Sequence, residues 1–221
     1  MNKIQAVLFD LDGTLADTAQ DLASSLNILL KEQGRAPIGF ERIRPHASHG
    51  SQALISLGFG INKDDDEFES LKARFLQLYQ DNLCRKTQLF PGITETLEGI
   101  HARGMPWGIV TNKPAFLTDP LVKLLGLDRD AACIISGDTT NNRKPHPEPM
   151  LHACEQVAIP PEKCLYVGDA ERDIHAGKHA GMKTLVALYG YIDDNDKPEH
   201  WGADGKIKSA DTILDWIDHH V

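Results

Sequence analysis

Short apolar runs separated by helical patterns recur along this chain, and they constrain its fold more than any other feature. Such runs are typical of strands that are buried on both faces of a parallel sheet. Apolar residues spaced three and four apart between the runs predict helices that cover the sheet. The sequence therefore predicts a three-layer α/β fold. Its predicted strands are Ala6–Phe9, Trp107–Val110, Cys133–Ile135, Cys164–Val167, Thr184–Leu188 and Lys206–Lys208.

One long segment interrupts this alternation. No strand is predicted from Asp17 to about Arg85, where the apolar spacing is helical throughout. Because the segment directly follows the first strand, it would overhang whatever lies at the end of that strand. We therefore predict a helical cap at residues 16–85, inserted into a discontinuous α/β core of residues 1–15 and 86–221.

Composition excludes several classes of protein. The net charge of the 221 residues is -9, which argues against binding to nucleic acid. No run of 18 apolar residues is present, so no membrane span or membrane partner is expected, and the start of the chain does not resemble a signal peptide. The four cysteines form no C-x-x-C pair, which favours free thiols over disulfides or zinc. These features predict a cytoplasmic protein and leave its oligomeric state open between monomer and dimer.

Polar residues follow the predicted strands, and the carboxyl ends of parallel strands meet at one edge of a sheet. Carboxylates are the hard ligands that Mg²⁺ prefers, and an aspartate can attack phosphorus while a second one exchanges protons. A hydroxyl and an ammonium group can stabilise the transferring group. The edge is therefore predicted to carry out phosphoryl transfer. The residues expected there are Asp10, Asp12, Thr111, Asn112, Lys144, Asp169 and Asp173.

Four stretches around these residues resemble the motifs of the haloacid dehalogenase superfamily, in the order typical of that family. They are "DLDGT" from Asp10, "VTNKP" around Thr111, "RKPHP" with Lys144 and "GDAERD" from Gly168. The resemblance implies a Rossmann-like core with a small helical cap, and a Mg²⁺-dependent phosphatase that works through an aspartyl-phosphate. An aspartate at the position of Asp12 marks the phosphatases and mutases of the family, not its dehalogenases.

The resemblance also implies roles for the four acidic residues. Asp10 would be the nucleophile, and Asp12 the general acid and base. The metal would be held by Asp10, Asp169 and the backbone carbonyl oxygen of Asp12. Asp173 would reach the metal directly or through water.

The remaining motif residues would bind the substrate's phosphoryl group. The resemblance implies this role for Thr111 and Lys144, and Lys144 would also keep Asp10 ionised. Asn112 would contribute its backbone N–H or its side-chain amide.

The predicted cap contains the loop "RPHASHGSQAL", which we expect to face the substrate, although it could be a plain connection between helices. Arg44 or His49 could meet a substrate carboxylate, and Gly50 would allow close approach of the backbone. The late segment "YGYIDDNDKPEHWGAD", which begins at Tyr189, resembles the phosphoglycolate phosphatase-like branch, which includes N-acetylmuramic acid 6-phosphate phosphatase. The stretches "WGIVTNKP" and "HWGAD" carry this similarity. That resemblance implies 2-phosphoglycolate or N-acetylmuramate 6-phosphate as the substrate.

Two other functions are compatible with the same motifs. One is a phosphomutase similar to β-phosphoglucomutase, which shares the nucleophile but returns the phosphate to a sugar. The other is a non-catalytic protein that binds a phosphorylated metabolite.

Overall fold

The computed structural model describes residues 3–219. Its strands are β1 (Ala6–Phe9), β2 (Ala16–Asp17), β3 (Gln88–Leu89), β4 (Trp107–Val110), β5 (Cys133–Ile135), β6 (Cys164–Gly168), β7 (Lys183–Ala187) and β8 (Gly205–Ile207). Its helices are α1 (Ala19–Glu32), α2 (Phe40–Ile43), α3 (Gly50–Phe59), α4 (Phe68–Asp81), α5 (Ile93–Ala102), α6 (Ala115–Leu124), α7 (Glu148–Val157), α8 (Glu171–Ala180) and α9 (Thr212–His219). Short 3₁₀ turns occur at Arg44–His46, Leu127–Arg129 and Pro161–Lys163.

Six strands form one parallel sheet in the order β5-β4-β1-β6-β7-β8. Side chains of the central strand alternate between its two faces. Val7 and Phe9 join the larger apolar core with residues of α5, α6 and α9, whereas Ala6 and Leu8 join a second core with residues of α7 and α8. The predicted three-layer α/β fold is confirmed.

The strand order reverses at β1, which lies between β4 and β6. The chain proceeds outward from β1 through β4 to β5, and then returns to build the other half of the sheet. In open α/β sheets, ligands bind beyond the carboxyl ends of the strands at such a reversal. The topology therefore predicts that a ligand would bind next to the residues that follow β1, β4 and β6.

The four helices α1 to α4, here called the cap helices, pack mainly on one another. Their apolar side chains nevertheless continue into the same core cluster as the sheet face that carries Phe9. The helix pattern of this segment was predicted, but the prediction that no strand occurs from Asp17 to about Arg85 was wrong at its first residue. Asp17 belongs to β2, which pairs with β3 as an antiparallel ribbon. At two residues each, these strands are too short to leave a periodic signal.

The return from the cap helices to the sheet is fixed by a buried carboxylate. Asp21 of α1 is 1% exposed and accepts hydrogen bonds from the backbone N–H groups of Lys86 and Thr87 at 3.0 Å. The Thr87 hydroxyl donates a further bond at 2.7 Å. Beside it, the Phe90 N–H donates to the Leu15 carbonyl at 3.0 Å, which joins the two connections between cap helices and sheet.

The predicted strand bounds, the state of the cysteines and the absence of membrane spans can also be compared with the structure. The predicted strands are confirmed, although β6 ends one residue later than predicted, and β7 and β8 each begin and end one residue earlier. All four cysteines are free, and three of them are buried. Within residues 3–219, no helix is long and apolar enough to cross a membrane.

Replacing Asp21 should weaken the link between cap helices and sheet. We expect Asp21→Ala to lower the free energy of unfolding by about 3 kcal/mol, because several buried donors lose a charged acceptor. Urea denaturation measures the change. The exposed Asp64→Ala serves as the matched control, and an equal effect of both variants would contradict this role of Asp21.

Candidate active site

Three buried carboxylates converge at the carboxyl ends of the central strands. Asp10 follows β1, Asp169 follows β6, and Asp173 lies in the first turn of α8. One oxygen from each lies within 4.8 Å of the others. The short link from β6 into α8 allows one segment to supply two of the three acids, and the Asp173 Oδ2 accepts a bond from the Ala170 N–H at 3.0 Å.

A single buried ammonium group balances part of this charge. Lys144 Nζ lies 2.9 Å from Asp10 Oδ1 and 2.7 Å from Asp173 Oδ1. It also donates to the Val110 carbonyl and to the Tyr166 hydroxyl, each at 2.8 Å. Four acceptors thus surround Nζ, and the ammonium group is fixed between the residue after β1 and the helix after β6.

Asn112 holds the backbone of Lys144. Its Nδ2 donates to the Lys144 carbonyl, and its Oδ1 accepts from the Lys144 N–H, both at 3.0 Å. The side-chain amide was one of two expected contacts with substrate, but it is already used twice to position a neighbouring loop. Thr111 is also buried, and its Oγ1 accepts a bond from the Lys113 N–H at 3.2 Å.

Burial and mutual repulsion alter the ionisation of the acidic cluster. Burial raises the pKa of Asp10; the charge of Lys144 opposes that rise, and the charge of Asp173 adds to it. Burial, followed by the charges of Asp10 and Asp173, raises the pKa of Asp169 to about 7. The cluster therefore favours either a bound proton or a bound cation.

Glycines make room around the most buried of these acids. Gly13 has a φ of +86°, and a Cβ there would collide with Asp169. A Cβ on Gly190 would also collide with Asp169, and one on Gly168 would collide with Asp173. Three buried carboxylates with a single lysine among them form a donor set of the kind that suits a hard cation such as Mg²⁺.

Asp12 does not belong to this cluster and forms an ion pair with a different lysine, Lys113. Asp12 Oδ1 lies 2.8 Å from Lys113 Nζ and accepts a bond from the Thr18 hydroxyl at 2.6 Å. Lys113 Nζ also donates to the hydroxyl of Tyr79 in α4 at 3.1 Å. Burial lowers the pKa of Lys113, but the charge of Asp12 and the hydrogen bonds to Asp12 and Tyr79 outweigh it, so the pKa is raised overall.

Sequence reasoning did not select Lys113, although it directly follows Thr111 and Asn112 at the end of β4. That position was a usable signal. No pattern in the sequence indicated that Tyr79 would meet it.

Of the expected cap residues, Arg44 begins the 3₁₀ turn Arg44–His46, whereas His49 directly precedes α3 and Gly50 is its first residue. Arg44 is directed to the core: it donates to the Tyr189 carbonyl at 3.2 Å, and its Cζ lies 5.1 Å from the Tyr191 ring centroid. His49 is exposed; partial desolvation and then the charge of Arg172 lower the pKa of its imidazole. Gly50 has a φ of +73°, and a Cβ there would have no heavy atom within 4 Å, so its backbone angle explains the glycine.

Two tyrosines after β7 bring another segment to the site. The Tyr191 N–H donates to Asp169 Oδ2 at 2.9 Å, and the Tyr191 hydroxyl donates to Asp17 Oδ1 at 2.8 Å. The Tyr189 hydroxyl donates to the Thr14 carbonyl at 3.1 Å. The sequence singled out this segment only by its resemblance to one branch of phosphatases.

Comparison with known proteins agrees with this geometry. Residues 7–187 match the family model described as haloacid dehalogenase-like hydrolase. The chain belongs to this family. It is 38% identical over 216 residues to an N-acetylmuramic acid 6-phosphate phosphatase from Pseudomonas aeruginosa, which covers 98% of this chain and 96% of the relative.

Two further relatives carry a different name. A phosphoglycolate phosphatase from Xylella fastidiosa is 42% identical over 204 residues, covering 92% of this chain and 89% of the relative. The crystal structure of a predicted phosphoglycolate phosphatase from Haemophilus somnus superposes with a TM-score of 0.86 at 30% identity, covering 98% and 99% of the two chains. The family resemblance recognised in the sequence is confirmed.

The acidic cluster should make stability depend on pH and on metal. The pKa of Asp169 is about 7, above its ordinary 3.8, so the folded state holds the proton more tightly than the unfolded state. Without metal, stability should therefore fall as pH rises from about 3.8 to about 7, where the folded state also loses the proton and the fall ends. Mg²⁺ should raise the melting temperature more at about pH 8 than at about pH 5.5, because its ligands must lose their protons.

Thermal unfolding with Mg²⁺ or with EDTA at both pH values measures these effects. Asp169→Asn should lower the Mg²⁺ effect and reduce its pH dependence, while the raised pKa of Asp10 retains part of that dependence. An identical Mg²⁺ shift at both pH values in the unmodified chain would contradict the assignment.

Proposed function

We propose that this chain is a Mg²⁺-dependent phosphatase that hydrolyses a small phosphorylated carboxylate or sugar through an aspartyl-phosphate on Asp10. The observation that supports this most is the position of Lys144 Nζ, 2.9 Å from Asp10 within the cluster of buried carboxylates. A cation at that distance favours the ionised form of Asp10, which is the form that attacks phosphorus.

The metal would be held by Asp10, by Asp169 and by the backbone carbonyl oxygen of Asp12, with Asp173 directly or through water. When bound, Mg²⁺ neutralises negative charge on the phosphate and on the carboxylates. The donor chemistry and the raised pKa values of Asp10 and Asp169 support this assignment.

In the first step, a carboxylate oxygen of Asp10 forms a bond to phosphorus while the bond from phosphorus to the ester oxygen breaks. Lys144 and Thr111 stabilise the phosphoryl oxygens, and Asp12 gives a proton to the departing oxygen, which leaves as an alcohol. In the second step, Asp12 takes a proton from a water molecule that attacks phosphorus. The bond from phosphorus to Asp10 then breaks, inorganic phosphate leaves, and both carboxyl groups return to their starting states.

The surroundings of Asp12 suit proton exchange at one oxygen. Its Oδ1 has two donors, Thr18 and Lys113, so exchange with the substrate falls to Oδ2. These contacts restrict the rotation of the carboxyl group, which is the positional control that a general acid and base needs.

The substrate is proposed from chemistry at the junction of the cap helices and the core. The named relatives act on N-acetylmuramic acid 6-phosphate and phosphoglycolate, both of which carry a carboxylate and a phosphate. Three cationic side chains bridge that junction here and are suited to a second anionic group. They are Arg44, Lys113 and Arg172, which contact Tyr189, Tyr79 and Ser48 respectively.

Residues 16–85 are proposed to act as a cap that sets specificity, while residues 1–15 and 86–221 form the catalytic core. The four free cysteines support a reducing compartment, so we also propose that the protein acts in the cytoplasm.

Asp10→Asn tests the nucleophile. We expect turnover to fall by at least about a thousandfold, since an amide cannot form the intermediate, while the fold stays intact. Phosphate release measures turnover, and the exposed Asp128→Asn is the matched control. Mass spectrometry of the acid-quenched unmodified enzyme should find phosphate on the peptide that contains Asp10. Activity of Asp10→Asn close to that of the control would overturn the mechanism.

A substrate screen tests the reaction itself. Release of inorganic phosphate is measured from 2-phosphoglycolate, N-acetylmuramate 6-phosphate and hexose phosphates, with Mg²⁺ and with EDTA. We expect release from at least one phosphorylated carboxylate, lost with EDTA and restored by Mg²⁺. Interconversion of isomers without release would identify a mutase instead, and binding without any turnover would identify a non-catalytic binding protein.

A further inference from the structure

Ser48, in the loop before α3, joins the cap helices to the core at two points. Its hydroxyl donates to Asp169 Oδ2 at 2.6 Å. Its carbonyl accepts a bond from the Arg172 guanidinium, also at 2.6 Å. Asp169 and Arg172 lie three residues apart in the "GDAERD" stretch. Ser48 therefore contacts both the residue after β6 and the first turn of α8.

The Ser48 bond limits how the Asp169 carboxylate can be used. Asp169 Oδ2 also accepts the Tyr191 N–H at 2.9 Å, whereas Oδ1 has only a long contact of 3.5 Å with the Thr14 hydroxyl. An ionised carboxylate oxygen has two lone pairs. Two donors therefore occupy Oδ2, and Oδ1 is the oxygen left to bind a cation.

We propose that Ser48 is a positioning residue that orients Asp169 for Mg²⁺ and thereby couples the position of its loop to metal binding. The inference rests on the proposed Mg²⁺ role of Asp169. Groups that hydrogen-bond a metal ligand fix its orientation, and their loss typically weakens metal binding about 10-fold to 100-fold. Here the outer group comes from the loop next to the cap helices and not from the core.

The coupling follows from the two bonds of Ser48. If the loop moves away from the core, Asp169 loses one of its two donors on Oδ2, and the Arg172 guanidinium loses its acceptor. Because coupling is reciprocal, bound Mg²⁺ must stabilise the loop in the contacting position by the same factor.

Neighbouring contacts fix the position of the Ser48 loop relative to the core. Arg44 of the same loop donates to the Tyr189 carbonyl and stacks on the Tyr191 ring. Tyr191 is the residue whose N–H supplies the second donor to Asp169. The loop and the segment after β7 thus each donate a hydrogen bond to the same carboxylate oxygen, and the two segments contact each other directly.

The test compares Ser48→Ala with Ser48→Thr, which keeps a hydroxyl, and with Ser51→Ala as the matched control in the first turn of α3. The dissociation constant for Mg²⁺ is measured by calorimetry without substrate. We expect it to rise about 10-fold in Ser48→Ala and to stay within about twofold in the other two variants. Circular dichroism and thermal unfolding in EDTA check that each variant is folded.

Hydrogen exchange gives a second readout that does not depend on activity. In the unmodified chain, Mg²⁺ should slow exchange of the backbone amides at residues 44–50, and this protection should be lost in Ser48→Ala. An unchanged Mg²⁺ affinity together with unchanged protection would overturn the proposal. If instead Mg²⁺ binds as expected but no phosphate ester is hydrolysed, the proposed reaction fails while the role of Ser48 stands.

Discussion

The buried ammonium group of Lys144 is the charge on which the acidic site depends. Three carboxylates within 4.8 Å of one another would repel strongly in a buried environment, and Lys144 Nζ contacts two of them directly. Its own burial is tolerated because the Val110 carbonyl and the Tyr166 hydroxyl complete its set of acceptors. The fold supplies this arrangement through Asn112, whose amide fixes the Lys144 backbone from the end of β4.

A second lysine gives the other motif acid a separate environment. Asp10 and Asp12 are two residues apart, yet Asp10 pairs with Lys144 and Asp12 pairs with Lys113. Pairs of acids with different roles are usually separated by their surroundings and not by their chemistry. Here the separation comes from strand order, because Lys113 follows β4 directly, whereas Lys144 reaches in from the loop beyond β5.

Much of the fold and the centre of the site could be predicted because both depend on local patterns. Apolar runs mark the strands, and Asp10, Thr111 and Asp169 each follow one of three adjacent central strands. The ribbon at Asp17 was missed because two residues carry no periodicity. The contact between Ser48 and Arg172 was missed for another reason: it joins residues 124 positions apart, and it depends on how the cap helices pack against the core. The sequence left open whether Asn112 would offer the substrate its backbone N–H or its side-chain amide, because a hydrogen bond from an amide to another residue's backbone produces no sequence pattern.

The segment after β7 contacts the acidic cluster, although its sequence alone did not indicate any chemical role. Its amino-acid sequence resembled one branch of phosphatases, but no spacing or residue pattern in it predicted a contact with the site. In the structure, Gly190 lies so close to Asp169 that a side chain there would collide with it, and the next N–H donates to the same carboxylate. The Tyr191 hydroxyl then donates to Asp17 in the ribbon below the cap helices. A single short segment therefore touches both the acidic cluster and the connection to the cap helices, so substitutions within it are constrained by both.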